Sequence, residues 1–169
     1  GIAGSVGVAV MHGQTKATLG DGVEVNAVNS GANAGQGILL RAADETNLLN
    51  ITGGVSFVYN GEAGITGSVT VNDIENFVWA RALGNNTLNA SGGGVTLDAD
   101  AKVDILAVTV SVAGVVSTES SSENNEQSDS VSFTGAGSVT VDIVETEALA
   151  QIGAGSTVYT SGDLSLTAD

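Results

Sequence analysis

Hydrophobic side chains alternate with small or polar ones along much of this chain. Valines occupy every second position in 6–10, and the odd-numbered positions of 49–59 carry Leu, Ile, Val, Phe and Tyr with one glycine. Alternation with a period of two places the apolar residues on one face of a β-strand. The run from Val103 to Ala113 is apolar on both faces, which predicts a strand that is covered on both sides.

Clusters of Gly, Asn, Asp and Ser separate these runs. They predict turns at 20–22, 29–31, 85–86, 91–94 and 161–163, and short strands at a spacing of roughly 8–12 residues. Two segments, 75–83 and 145–152, each end before a glycine and could instead be short helices. The corresponding segment of the first copy, 14–19, is a poorer helix former because it contains two threonines. We therefore favour strands in all three.

Three stretches of sequence recur in the same order. Each copy begins with Gly-Ser-Val, at 4–6, 67–69 and 137–139, so that the copies start 63 and 70 residues apart. An aliphatic residue and a glycine follow at 19–20, 83–84 and 152–153. A short apolar run that ends in alanine closes each copy, at 38–42, 95–99 and 164–168. Recurrence in a fixed order is typical of a stacked repeat array.

The fold that fits this pattern is a parallel β-solenoid, in which each coil pairs with the next and all coils share one core. We expect one solenoid segment over residues 1–169, with copies at about 2–62, 63–130 and 131–169. Residues 117–130 contain no apolar side chain, which predicts a mobile loop inserted in the second copy. We also expect the chain to be a piece of a longer array.

Composition narrows the classes of partner. Nineteen acidic residues face four basic ones, for a net charge of −15, which disfavours nucleic acids and anionic membrane surfaces. No apolar run reaches the roughly 18 residues that a helical membrane span needs, so we expect no membrane insertion. The chain has no cysteine, which excludes disulfides and thiolate metal sites.

The runs 4–10, 15–22 and 38–44 resemble the repeats of very large bacterial filamentous adhesins of the leukotoxin and haemagglutinin-like type. The resemblance implies a β-helical stalk, export to the bacterial cell surface, and a role in attachment. It implies no catalytic residues. The second and third copies depart from the Gly-Asp-Gly turn of the first, since they read Gly-Asn-Asn at 84–86 and Gly-Ala-Gly at 153–155.

Two groups of side chains are candidate sites. Asp98, Asp100 and Asp104 share one face of a strand and could hold a single calcium ion, although we favour a solvated acidic face. Phe77, Trp79 and Arg81 share a strand face on which they could contact a sugar or a partner protein. Alternatively, these bulky side chains only fill space at the edge of a coil.

We expect a structural or adhesive segment of an extracellular filament, with no enzymatic activity and no obligatory cofactor. Its partners would be a ligand on a host or neighbouring cell, or copies of itself joined end to end. One alternative is a carbohydrate-binding or glycan-active β-helix, with Asp142, Glu145 and Glu147 as its carboxylates. Another is a self-assembling fibre subunit. The single histidine, His12, precedes Gly13 and is predicted to lie at a turn.

Overall fold

The computed structural model describes residues 1–28, 33, 35–59, 63–116 and 132–169. Within these residues the chain is all-β, and none of it forms a helix long and apolar enough to cross a membrane. In chain order the strands are β1 (Ile2–Leu19), β2 (Glu24–Val25), β3 (Ile38–Tyr59), β4 (Ala63–Ala82), β5 (Thr87–Ala90), β6 (Val95–Val116), β7 (Phe133–Ile152), β8 (Thr157–Thr160) and β9 (Leu164–Ala168).

The strands form three parallel sheets, each with one strand from every copy: β1-β4-β7 (sheet 1), β2-β5-β8 (sheet 2) and β3-β6-β9 (sheet 3). Thr87 pairs with Glu24 on one side and with Thr157 on the other, which reproduces the spacings of 63 and 70 residues. Val95 and Ala99 pair with Leu164 and Ala168, as the closing runs of the copies predict. The predicted parallel β-solenoid is confirmed.

The alignment of the second repeated element is shifted by one residue. The N–H of Leu83 donates to the carbonyl of Leu19, and the N–H of Gly153 donates to that of Ala82. In a parallel ladder this pattern places Ala82, and not Leu83, level with Leu19. The shift brings Gly22, Asn85 and Gly155, all with positive φ, to the same corner. Asparagine tolerates that left-handed conformation, so the corner is kept where the glycine is lost.

The described chain forms two compact units. Unit 1 comprises Gly1–Val10, Leu48–Asp73 and Ile105–Ile143, and unit 2 comprises Met11–Asn47, Ile74–Asp104 and Val144–Asp169. In unit 2 all three sheets turn apolar side chains inwards, and the middle copy contributes most of the core. Its fully buried members are Val78, Ala80, Ala82, Leu88, Ala90, Val95, Leu97 and Ala99. Burying each valine or leucine contributes about 1.5–3 kcal/mol.

Unit 1 has the opposite distribution of polarity. Its buried side chains are polar, namely Thr52, Ser56, Thr66, Ser68, Thr70 and Asn72. Ser68 contacts Ser111, and Asn50 donates a 2.7 Å hydrogen bond to Asn72, so the inner faces of sheets 1 and 3 meet through hydroxyls and amides. The large apolar side chains of the same strands point outwards and are exposed.

Several local predictions can now be assessed. Strand is correct for 75–82 and 145–152, which belong to β4 and β7. The expectation of short strands is wrong for sheets 1 and 3, whose strands in the first two copies are 18 to 22 residues long. Glycines occur within these long strands where a missing side chain leaves room for a neighbour, as at Gly7 beside Thr52. The predicted loop at 117–130 and the turn at 29–31 lie outside the described residues.

Candidate functional site

A cluster of aromatic and charged side chains lies on the outer face of sheet 1 in unit 2. Phe77, Trp79 and Arg81 occupy alternate positions of β4, so their side chains point away from the core formed by Val78 and Ala80. The structure thus brings the three predicted contact residues to one face. Together with Lys16 of β1 and Glu147 of β7 they form what we call the aromatic–cation cluster.

Trp79 is the centre of this cluster. The ammonium of Lys16 lies 4.3 Å from the centroid of the indole, and the guanidinium of Arg81 lies 5.1 Å from it. The indole Nε1 donates a 3.2 Å hydrogen bond to Oε1 of Glu147, and the Phe77 ring packs at a tilt with a centroid distance of 5.9 Å. The ring is therefore held by contacts with all three strands of the sheet.

Lys16 and Glu147 were not predicted as members of the cluster. They lie 63 and 68 residues from Trp79 in sequence, so no local motif connects them with it. The repeat spacing carries the missing signal: a residue of β4 lies beside the residue 63 positions earlier and beside the one 70 positions later. Applied to Trp79, that rule places Lys16 beside it on β1 and Leu149 beside it on β7. Glu147 lies two residues before Leu149, on the same face of β7.

An open cleft of about 610 Å³ lies elsewhere in unit 2, lined by residues of β1, β3 and β4. His12 lies in the middle of β1, and not at a turn as predicted, since Gly13 stays extended beside Asn76. Its Nδ1 is 2.5 Å from Oε2 of Glu75 at the edge of the cleft. The cleft also contains Asp44 and Glu45, so its lining is acidic.

The pKa of the Asp44 carboxyl in this cleft is lowered from its usual value. The Thr15 hydroxyl donates a 2.8 Å hydrogen bond to Oδ2, and this contact is the main cause of a lowered pKa. Partial burial acts in the opposite direction, and hydrogen bonds from Thr46 and Asn76 lower the pKa further. Asp44 is thus an ionised, internally hydrogen-bonded carboxylate.

The three aspartates that could hold calcium lie on the outer face of β6, as predicted. Arg41 Nε is 3.1 Å from Asp98, and Lys102 Nζ is 2.7 Å from Asp104. Lys102 also contacts Glu45 at 3.2 Å. In the part of the chain that the structure describes, no group of three or more His, Asp or Glu side chains is arranged to hold a metal ion. Calcium binding at this row stays a prediction.

The aromatic–cation cluster offers an indole, two cations and a carboxylate on an outward sheet face, which suits contact with a polar partner. Of the carboxylates considered for glycan hydrolysis, Glu145 and Glu147 lie on the outer face of β7 in unit 2. Asp142 accepts a 2.7 Å hydrogen bond from Asn72 within unit 1.

The fold and the surface define the class of protein as a parallel β-solenoid with in-register coils. No protein-family model matches the chain, and neither curated proteins nor solved structures yield a similar one.

Proposed function

We propose that this chain is a structural and adhesive segment of an extracellular bacterial surface filament. The observation that carries the proposal is the in-register stacking of three successive copies. Thr87 pairs with its counterparts on both sides, and Leu97 pairs with Leu166 at the same level of sheet 3. Coils that stack in this way share their core, so each protects the next from solvent.

The burial of equivalent positions fits a core that neighbouring copies share. Leu97 of the middle copy is fully buried, whereas Leu166, its partner in the third copy, is 46% exposed. The packing of one copy therefore depends on the copies beside it, as expected for a stacked array.

A mechanical role is tested by pulling single molecules from their two ends. A stacked array should release its coils one after another, because each coil pairs only with its neighbours. Loss of one coil should add about 63 or 70 residues of contour, which is roughly 220–245 Å at 3.5 Å per residue. A single rupture that releases the whole chain at once would contradict the stalk.

The adhesive role and the extracellular location are tested by two further experiments. Antibodies raised against the purified chain should label unpermeabilised source cells, and beads coated with the chain should bind to host or neighbouring cells. Trp79→Ala tests whether the aromatic–cation cluster makes that contact, and Phe57→Ala serves as a control aromatic in unit 1. Labelling only after permeabilisation would overturn the proposed location.

A further inference from the structure

The outer face of sheet 1 in unit 1 is an exposed apolar surface. We call it the valine face and define it by Ile2, Val6, Val8, Val10, Ile65, Val69, Val139, Val141 and Ile143. These nine side chains are 39–88% exposed. Among the described residues of this face Asp73 carries the only charged side chain, and all four basic residues of the chain belong to unit 2.

Such a surface is costly in water. The buried side chains of unit 1 lie on its inner face and carry hydroxyls and amides, as Ser68 and Asn72 do. The nine residues expose roughly 800 Å² in total, main chain included, which exceeds the 300–600 Å² of the largest patch on a typical monomer. If a partner covered all of it, the buried area would match one side of a standard protein–protein interface.

The valine face also contains an unfilled groove. Gly4, Gly67 and Gly137 lie side by side across the three strands, and a Cβ added to any of them would meet at most one backbone atom within 4 Å. On sheet 3 the corresponding space at Gly114 is filled by the ring of Phe57. The glycine groove therefore has room for a row of side chains that repeats at the strand spacing of about 4.8 Å.

The shape of the valine face suits packing against another sheet. Its β-branched side chains can interdigitate with those of a second sheet face stacked about 10 Å away.

We propose that the valine face is a self-association surface on which a second copy of this chain packs face to face. The row of Val6, Val69 and Val139 lies next to the glycine groove, so a two-fold axis brings the valines of one copy into the groove of the other. Such an interface is the same patch used twice. It differs from end-to-end joining of coils, because no edge strand takes part, and it does not depend on the proposed adhesive function.

The test is the oligomeric state of the purified chain by sedimentation equilibrium. We expect a reversible dimer, with a dissociation constant that falls as salt rises from about 50 to 500 mM, because salt screens the repulsion between two copies of charge −15. Val141→Lys should weaken the dimer at least 100-fold. Val112→Lys is the matched control, since Val141 and Val112 are 42% and 43% exposed on different sheets.

The circular dichroism spectrum and melting temperature of both variants are measured as the control for folding. A monomer at all concentrations would overturn the proposal. So would a dimer that Val112→Lys dissociates and Val141→Lys leaves unchanged, or association lost equally in both variants. Co-sedimentation of the wild-type chain with phosphatidylcholine vesicles in place of dimerisation would assign the face to lipid and would equally overturn it.

Discussion

Asn72 donates a 2.7 Å hydrogen bond from its Nδ2 to Oδ1 of Asp142, and its own Oδ1 accepts a 2.7 Å bond from Asn50. Asn72 is fully buried, so this ladder of hydrogen-bonded polar side chains includes an interior position at which a globular protein would usually have a leucine or valine. Each member of the ladder is 22 or 70 residues from the next, which means that the contacts exist only when the coils are in register.

Asn72→Asp should therefore destabilise the chain in a pH-dependent way. The change replaces the donor to Asp142 by a second carboxylate, and the repulsion between two adjacent carboxylates disfavours the ionisation of both. We expect a loss of about 2–3 kcal/mol at pH 7 that shrinks as the pH falls towards about 4, where the pair takes up a proton. Denaturant titrations at the two pH values measure the difference.

The swap variant Asn72→Asp with Asp142→Asn is the control for this pair. It restores one amide and one carboxylate in contact, so it should recover most of the lost stability at pH 7. If the swap is as unstable as Asn72→Asp alone, the effect does not come from the contact between these two side chains.

The shared core of unit 2 gives a second prediction. Leu97 and Leu166 pair at the same level of sheet 3, but the first is fully buried and the second is 46% exposed. Leu97→Ala should cost about 2–5 kcal/mol because it leaves a cavity, while Leu166→Ala should cost less than about 1 kcal/mol. Equal losses in thermal or denaturant melts would mean that the middle copy is no better packed than the outer one.

Much of this fold could be predicted from the sequence, because the spacing of the repeats predicts which residues of neighbouring strands pair. The three closing runs predict the pairing of Val95 with Leu164, and the alternation in β4 predicts which residues share a face. The position of Ala82 could not be predicted in this way. Leu83 matches Leu19 in character, yet the hydrogen bonds place it one residue further along. Backbone geometry at the corner decided that register, and it leaves no trace in hydrophobicity.

The sequence also could not predict which side chains of unit 1 face inwards. Alternation separates Val69 and Val71 from Ser68 and Thr70, but it does not say which set faces inwards. Burial of the apolar set is the usual expectation, and the structure has the reverse. The both-sides-apolar run of β6 was expected to be covered on both faces, whereas Leu106, Val108, Val110 and Val112 are exposed. For the site, Phe77, Trp79 and Arg81 followed from local spacing, while Lys16 needed the repeat offset.

Thr15→Val should weaken the chain only above the pH at which Asp44 ionises. The Thr15 hydroxyl is the main cause of the lowered pKa of Asp44, so the folded pKa lies below the unfolded one. A lowered pKa adds stability above the unfolded pKa of about 4 and loses it as the pH falls through the folded value. We expect a loss of about 1 kcal/mol at pH 7 that disappears near pH 2.

Thr18→Val is the control when the stability of Thr15→Val is measured at pH 7 and pH 2, because Thr18 lies on the exposed outer face of the same strand. It should change stability little at either pH. A loss in Thr15→Val that is the same at pH 2 and pH 7 would show that the hydroxyl acts through packing and not through Asp44.

Calcium should leave the melting temperature of the wild-type chain unchanged up to about 1 mM, the affinity range of weak extracellular sites. Arg41 and Lys102 already neutralise Asp98 and Asp104, so a cation would have to displace them. A rise of several degrees that Asp100→Asn abolishes would instead establish the calcium site that the aspartate row suggests. Magnesium at the same concentration controls for general screening of the negative charge.

The aromatic–cation cluster gives the sharpest spectroscopic prediction, because Trp79 is the only tryptophan in the chain and its fluorescence reports on this surface alone. The Lys16 ammonium covers the indole at 4.3 Å. Lys16→Ala should therefore raise the acrylamide quenching constant of Trp79, by about 1.5-fold or more, and should cost no more than about 1 kcal/mol in stability. Lys102→Ala removes the same charge from sheet 3 and should change neither the quenching constant nor the stability.

If a polysaccharide or a partner protein stacks on the ring of Trp79, it must displace Lys16. Lys16→Ala should therefore bind that ligand more tightly than the wild-type chain. Equal quenching in Lys16→Ala and Lys102→Ala would show that Lys16 does not shield the indole in solution.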